Sequence, residues 1–316
     1  MTTSPPDPDT RPDAADGGVR RIPITTPAGE YTVWTRRVGA SPDIRLLLLH
    51  GGPGATHECF ECLEDVLPAA GVELYFYDQL GSFHSDAPDD PSLWEIDRFV
   101  DEVEQVRVAL GLDADNFFLL GHSWGGILAV EYALRYQQHL KGLVISNMMM
   151  SIPAYNDYAA RTFLAAMDPD VVAELRAMEA AGTTTDPRYE QLLAPHYEQH
   201  VLRMPSEQWP DAVRRTFEHM NMSIYVPMQG PSELGASGRL LHWDRTADLG
   251  RITVPTLVIG GAHDTMDPAH MEQVAANLPQ GRYLHCADGS HLSMYDDPET
   301  YSSGLVDFLT TTPIGR

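Results

Sequence analysis

Short, mostly apolar runs recur through the first half of the chain, and each is bounded by Gly, Asp or Asn. They lie at residues 44–49, 72–77, 117–120 and 143–145. This continuous apolar pattern is typical of strands buried on both faces of a parallel sheet. Between the runs, apolar positions recur every three or four residues, as in Ile96–Leu110, which predicts amphipathic helices. The alternation of the two patterns predicts an α/β fold with a mostly parallel sheet and helices on both faces.

The chain before the first apolar run has two parts. Residues 19–38 alternate β-forming residues around the turn Pro27-Ala28-Gly29-Glu30, which predicts an antiparallel hairpin at the edge of the sheet. Residues 1–18 are rich in Pro, Asp and Thr, and such a composition cannot bury a core. We therefore predict a disordered N-terminal segment over residues 1–18.

The strand pattern is interrupted in the second half of the chain. Helix-forming stretches such as 170–181 and 210–222 replace it, and strands return at 256–259 and 283–286. This predicts a core built from residues 19–147 and 248–316, with a helical cap at 148–247 inserted between two strands. Such a cap would cover the carboxyl ends of the strands, where ligands bind in open α/β sheets.

A G-x-S-x-G motif, Gly121-His122-Ser123-Trp124-Gly125, follows one of the apolar strands directly and precedes a helical run. This is the context that a nucleophile elbow requires, because the tight strand-to-helix turn presents the serine hydroxyl at the edge of the sheet. The turn also places the serine at a helix N-terminus, which favours developing negative charge. We predict Ser123 as the nucleophile of a hydrolase.

A serine nucleophile needs a base and an acid that orients the base, and in this fold the order along the chain is Ser, Asp or Glu, His. Asp264 and His291 each lie in a loop just beyond a predicted strand, in the required order. Asp267 and His285 are the alternatives. Asp267 precedes Pro268 and is placed to cap the next helix, while His285 lies inside a strand, where its side chain would pack. We predict Asp264 and His291.

A glycine-rich loop, His50-Gly51-Gly52-Pro53-Gly54, follows the first buried strand. Glycines let backbone N–H groups approach a reacting carbonyl, and the residue after the nucleophile supplies a second donor in this fold. We therefore predict an oxyanion hole made by the amides of Gly52 and Trp124.

The four segments 50–54, 77–82, 121–126 and 289–291 read HGGPG, YDQLGS, GHSWGG and GSH. Together they resemble the proline iminopeptidases, including the tricorn-interacting aminopeptidases, and the resemblance extends from about residue 20 to the end of the chain. It implies the α/β-hydrolase fold and a serine aminopeptidase that releases an N-terminal residue, often proline, from short peptides. It implies neither a metal ion nor an organic cofactor.

The resemblance also implies a carboxylate in the cap that binds the free amino group of the substrate. Gly230-Pro231-Ser232-Glu233 is similar to such a cap motif, so Glu233 is the candidate, and a solvated Glu on a cap loop is the alternative. Two residues depart from the family pattern. Thr265 stands where some members carry a second glutamate, and Phe83 where a glycine is common. The expected acyl residue is therefore proline or another small or apolar residue, on peptides or amino-acid amides.

Composition narrows the partners. The chain of 316 residues has 45 acidic and 21 basic side chains, a formal charge of -24, which argues against binding nucleic acid or anionic membrane. The aliphatic run Leu46 to Leu49 is too short to span a bilayer. Three cysteines cannot all pair, and so few in a long chain favour a reducing compartment, so we predict a cytoplasmic protein.

Two other functions remain open on the sequence. One is an esterase or amidase whose substrates have no free amine. The other is a catalytically inactive binding protein with a hydrolase fold, against which the complete set of Ser123, Asp264 and His291 argues.

Overall fold

The computed structural model describes residues 18–313, and eight strands in it form one sheet. The strands are β1 (Val19–Thr26), β2 (Gly29–Val38), β3 (Arg45–Leu49), β4 (Glu73–Asp78), β5 (Phe117–His122), β6 (Gly142–Ser146), β7 (Thr256–Gly261) and β8 (Gly281–Cys286). Their order across the sheet is β1-β2-β4-β3-β5-β6-β7-β8. β1 and β2 form an antiparallel hairpin at one edge, β2 is antiparallel to β4, and the six strands from β3 to β8 are parallel. The predicted fold class is confirmed.

Helices connect the parallel strands and cover both faces of the sheet. They are α1 (Val66–Ala69), α2 (Ile96–Leu110), α3 (Trp124–Tyr136), α4 (Ile152–Tyr158), α5 (Pro169–Ala181), α6 (Pro187–His200), α7 (Asp211–Glu218), α8 (Met222–Met228), α9 (Pro268–Asn277), α10 (Ser293–Asp296) and α11 (Pro298–Thr311). The four leucines of β3 explain the continuous apolar pattern. Leu47 and Leu49 belong to the same buried cluster as side chains of α2, α3 and α9, whereas Leu46 and Leu48 belong to a second cluster with side chains of α1 and α11. Because both faces are covered, both sets of side chains are buried.

The helices α4 to α8 all lie between β6 and β7 in the chain, where the sequence predicts a helical cap. A separate apolar cluster, which includes Phe163, Leu175 and Leu193, holds part of this region together. The predicted helix 210–222 is interrupted: α7 ends at Glu218, and the Asn221 side chain caps the separate helix α8. The cap bounds at 148 and 247 stay a prediction.

The predicted disordered segment, residues 1–18, lies outside the described residues except for its last residue, Gly18. Among the helices of residues 18–313, none has the length and apolar content needed to cross a membrane.

Candidate active site

Ser123 occupies the sharp turn between β5 and α3. Its backbone angles, φ 55° and ψ −125°, lie in a region that non-glycine residues seldom adopt and that is concentrated at functional sites. The turn can be this tight because of the glycines on either side. A Cβ atom on Gly121 would overlap the carbonyl oxygen of Gly125, and one on Gly125 would overlap that of Leu49. The two glycines of the motif are therefore required by close backbone packing.

His291 and Asp264 meet at the carboxyl edge of the sheet, in the loops after β8 and β7. His291 Nδ1–H donates to Asp264 Oδ1 over 2.8 Å, and both side chains are buried. The same Asp264 oxygen accepts the N–H of Met266 at 3.0 Å. Because Asp264 occupies Nδ1, the Nε2 atom of His291 remains for proton transfer.

The pKa of His291 reflects two opposing effects. Burial disfavours the charged ring and lowers the pKa, but the negative charge of Asp264 and its hydrogen bond outweigh burial. The pKa of His291 therefore lies above its ordinary value of 6.5. A histidine with a raised pKa keeps its proton to higher pH than an ordinary histidine does, so the fraction able to accept a proton increases as the pH rises.

The alternative acid and base lie elsewhere. Asp267 caps α9 by accepting the N–H of Ala269 at 3.0 Å, and it also pairs with Arg161 at 3.0 Å. His285 lies in β8 as predicted, but its side chain is exposed, so the expectation that it packs is wrong. Neither residue lines the cavity that contains Ser123 and His291.

Ser123, His291, Gly52 and Glu233 line one cavity between the sheet and the cap helices. The remaining wall is mostly apolar and includes Ala55, Cys59, Val201, Val213, Phe217, Met220 and Leu292. About 50 Å³ of this cavity is open to the centre of a water molecule, so the cavity is small. The cavity therefore suits a small apolar group. Within residues 18–313, no group of three or more His, Cys, Asp or Glu side chains is arranged to hold a metal ion.

Three tyrosines of the cap helices hold Glu233. The Tyr225 hydroxyl donates to Glu233 Oε1 at 2.5 Å, and the Tyr155 hydroxyl donates to the Glu233 carbonyl at 2.8 Å. The Glu233 N–H donates to the Tyr197 hydroxyl at 3.3 Å. Burial, together with the Glu233 charge, raises the pKa of Tyr225 well above 10, so this hydroxyl stays a donor. Glu233 is thus fixed by its main chain and its side chain at the cavity wall.

The glycine-rich loop after β3 lies directly against the serine, since a Cβ atom on Gly51 would be 3.1 Å from the Ser123 Cβ. His50 fixes the start of this loop. Its Nδ1–H donates to the Gly51 carbonyl at 2.9 Å, and its Nε2 accepts the Gln79 N–H at 3.1 Å. Burial lowers the pKa of His50 to about 4, so the ring is neutral and makes both bonds. Gln79 Oε1 also accepts the indole N–H of Trp124, the first residue of α3, at 2.9 Å.

The family model for the alpha/beta hydrolase fold matches residues 44–298. A proline iminopeptidase of Flavobacterium johnsoniae is 53% identical over 91% of this chain and 97% of its own length. The chain belongs to the proline iminopeptidase family. Two solved structures are similar to it: VinJ, with a TM-score of 0.85 and 31% identity, and a proline iminopeptidase of Mycobacterium smegmatis, with a TM-score of 0.81 and 30% identity. Each comparison covers 93% of this chain, and 99% and 98% of the respective structures.

The two departures from the family pattern have different surroundings. Thr265 is buried, with its hydroxyl 3.3 Å from Asp264 Oδ1 and 3.3 Å from His291 Nδ1, and it does not line the cavity. Phe83 is exposed and stacks on His219 of the cap, with 3.8 Å between ring centroids. Of the described residues that line the cavity, Glu233 is therefore the only one with a carboxylate.

Asn147 is a site residue that the sequence analysis does not identify. It follows β6 with φ 54°, is fully buried, and its Nδ2 donates to Asp264 Oδ2 at 2.7 Å. The same nitrogen lies 3.0 Å from the Ser290 carbonyl and 3.0 Å from the Ser293 hydroxyl. Asn147 thus joins the loop that carries Asp264 to the loop that carries His291. The available signal was an Asn at the carboxyl end of a buried strand, the edge where Ser123 also lies.

We expect Asn147→Gly to lower the free energy of unfolding by about 2 kcal/mol, because it leaves a buried carboxylate without one of its donors. Glycine accepts the positive φ without strain, so the loss does not come from the backbone angle. Urea denaturation measures the change, and kcat should fall in parallel because Asp264 is less firmly held. A free energy of unfolding within about 0.5 kcal/mol of that of the unmodified protein would contradict the role of Asn147 in holding Asp264. A change that small is typical of substitutions at the surface.

Proposed function

We propose that this chain is a serine aminopeptidase that releases an N-terminal residue, proline or another small apolar residue, from short peptides or amino-acid amides. One observation carries the proposal: the carboxylate residue Glu233 lines the same small apolar cavity as Ser123 and His291. A carboxylate there provides a partner for the free amino group of a residue whose carbonyl lies at the serine. The names of the curated relatives, proline iminopeptidases, agree with this substrate class.

In the first step, Ser123 Oγ attacks the carbonyl carbon of the N-terminal residue, and His291 Nε2 takes the hydroxyl proton. The carbonyl oxygen becomes an oxyanion, which accepts hydrogen bonds from the amides of Gly52 and Trp124. Collapse of the tetrahedral intermediate breaks the C–N bond, and His291 gives its proton to the leaving amine. The product of this step is an ester between Ser123 and the N-terminal residue.

In the second step, water replaces the leaving amine. His291 takes a proton from the water, whose oxygen attacks the ester carbonyl, and then returns the proton to Ser123 as the C–O bond breaks. The free N-terminal residue leaves and the serine hydroxyl is restored. Asp264 keeps its charge throughout and stabilises the imidazolium form of His291. The mechanism uses only side chains and amides of this chain and one water molecule.

Glu233 selects for a free amine because its carboxylate is held by Tyr225 at the wall of a small, mostly apolar cavity. An ammonium group brought there gains a charge-assisted hydrogen bond, whereas an acetylated nitrogen lacks the charge and adds bulk. The small apolar wall accommodates a compact side chain such as the proline ring. The carboxylate for the amino group and the small apolar wall both suit an exopeptidase that releases one residue at a time.

We expect N-acetylation of proline amide to lower kcat/KM by about 100-fold, because the Glu233 carboxylate then has no ammonium partner and stays desolvated. The same loss, about 100-fold, is expected for Glu233→Gln acting on unblocked proline amide. Release of proline or acetylproline, followed by chromatography, measures both.

The control combines the two changes. Glu233→Gln should hydrolyse the acetylated amide no more slowly than the unmodified enzyme does, because the lost charge has no partner in that substrate. Equal rates on blocked and unblocked amides by the unmodified enzyme would support the esterase or amidase alternative instead.

We also propose a cytoplasmic location. Cys59, Cys62 and Cys286 are all free, as expected for a protein in a reducing compartment.

A further inference from the structure

A residue of the cap, Asn221, binds both loops that surround the predicted oxyanion hole. Its main-chain N–H donates to the Gly54 carbonyl at 2.7 Å, and its side-chain Nδ2–H donates to the Gly81 carbonyl at 2.8 Å. We propose that Asn221 is a positioning residue that sets the Gly52 amide for the oxyanion. This inference rests on the acyl-transfer function proposed above.

The cap helix α8 packs closely against these two loops. Gly54 has φ 84°, and a Cβ atom there would be 2.8 Å from the Asn221 carbonyl oxygen. Gly81 has φ 92°, and a Cβ atom there would overlap the side chain of Ile224, which is fully buried in α8. Both positions thus need glycine for their backbone angle and for the close approach of the cap.

Two connections between the loops after β3 and β4 lie on either side of Gly52 in the chain. At the first, His50 Nε2 accepts the N–H of Gln79 at 3.1 Å. At the second, Asn221 bridges Gly54 and Gly81. Gly52 lies between the two connections, so its N–H direction depends on both. Because the stabilisation of an oxyanion falls steeply with misplacement of a donor, a small shift at the second connection lowers the rate of acyl transfer.

The Asn221 side chain is fixed at its other end as well. Its Oδ1 accepts the N–H of Ser223 at 3.0 Å and the Ser223 hydroxyl at 2.6 Å, so it also caps α8. Because the amide oxygen caps α8 and the amide nitrogen binds Gly81, one substitution can remove the second contact and keep the first. Asp at position 221 keeps the capping oxygen, and is an equally good N-cap residue, but it has no side-chain donor for Gly81.

We expect Asn221→Asp to lower kcat about tenfold, with KM for proline amide changed less than twofold, because the substrate cavity and Glu233 are unaltered. The aldehyde of proline, which forms a tetrahedral adduct with a serine, should bind about tenfold more weakly. Proline itself, which forms no oxyanion, should bind as before. A residue that served only to support the cap would not separate the aldehyde from proline in this way.

Two further variants complete the test. Ser223→Ala removes the hydroxyl that binds Asn221 Oδ1 but keeps the Ser223 N–H on the same oxygen, so Asn221 still binds Gly81 and kcat should fall less than in Asn221→Asp. Asn221→Ser retains a capping oxygen but cannot reach Gly81, so it should repeat the effect of Asn221→Asp and substitutes for it if that variant fails to fold.

The inference is overturned if kcat of Asn221→Asp stays within twofold of the unmodified enzyme, or if proline binding weakens as much as aldehyde binding. If Ser123→Ala is inactive while Asn221→Asp is fully active, the inference alone fails. If Ser123→Ala retains activity, the proposed function fails.

Discussion

Ser123→Ala is expected to lower kcat for proline release by about 10⁵- to 10⁶-fold, because the acyl-enzyme can no longer form. Residual turnover would come from substrate binding and from the oxyanion donors, which act on an attacking water. Steady-state release of proline from proline amide measures the loss. Labelling by a fluorophosphonate, which reacts with activated serines, should disappear in the same variant.

Stability provides the control for this substitution. Ala keeps the strained φ of 55° at position 123, so the free energy of unfolding should change little. Ser123→Gly relieves the strain and should be more stable than Ser123→Ala by about 1 kcal/mol. A Ser123→Ala variant that folds and retains more than about one hundredth of the kcat would contradict the assignment of Ser123 as the nucleophile. That rate is far above the residual rate expected without a nucleophile.

Asp264→Asn has the second largest expected effect, a loss of about 10⁴-fold in kcat at neutral pH. The carboxylate accepts the Nδ1–H of His291, and an amide at this position can donate to Nδ1 instead. The ring then adopts the tautomer with the proton on Nε2, which cannot accept the serine proton. Asp267→Asn is the matched control and should keep kcat, because Asp267 caps α9 away from the cavity.

The pH dependence of kcat/KM tests the interaction between His291 and Asp264. Because the pKa of His291 lies above 6.5, kcat/KM of the unmodified enzyme should fall with decreasing pH, with a midpoint above 6.5. Asp264→Asn removes the largest of the charges that raise the pKa of His291, while burial still lowers it, so the midpoint should move to lower pH. A midpoint that is the same in both proteins would show that the titrating group is not His291.

The sheet and the serine were predictable because their signals are local. Four consecutive leucines from Leu46 to Leu49 specify a strand buried on both faces, and the structure places them alternately on the two faces. The elbow around Ser123 is specified by glycines only two residues away. The contact between Asp264 and His291 was predictable for a related reason, since parallel strands bring the loops at their carboxyl ends to the same edge of the sheet.

The hydrogen bonds around Asp264 and Glu233 were not predictable, because they join distant parts of the chain. Asn147 binds Asp264 across 117 positions, and no pattern near either residue indicates the pair. The break between α7 and α8 has the same origin. Local periodicity favours one helix over 210–222, but the chain turns where Asn221 binds the Gly54 carbonyl of the core. The tyrosines around Glu233 likewise come from three separate cap helices.

The most direct test of the central claim is mass spectrometry of the enzyme quenched in acid during turnover of an activated proline ester. The account predicts that the protein gains the mass of one prolyl group and that the modified peptide carries it on Ser123. It also predicts that Ser123→Ala shows no adduct and that N-acetylproline ester gives far less. Turnover without any adduct, or an adduct on another residue, would contradict the account.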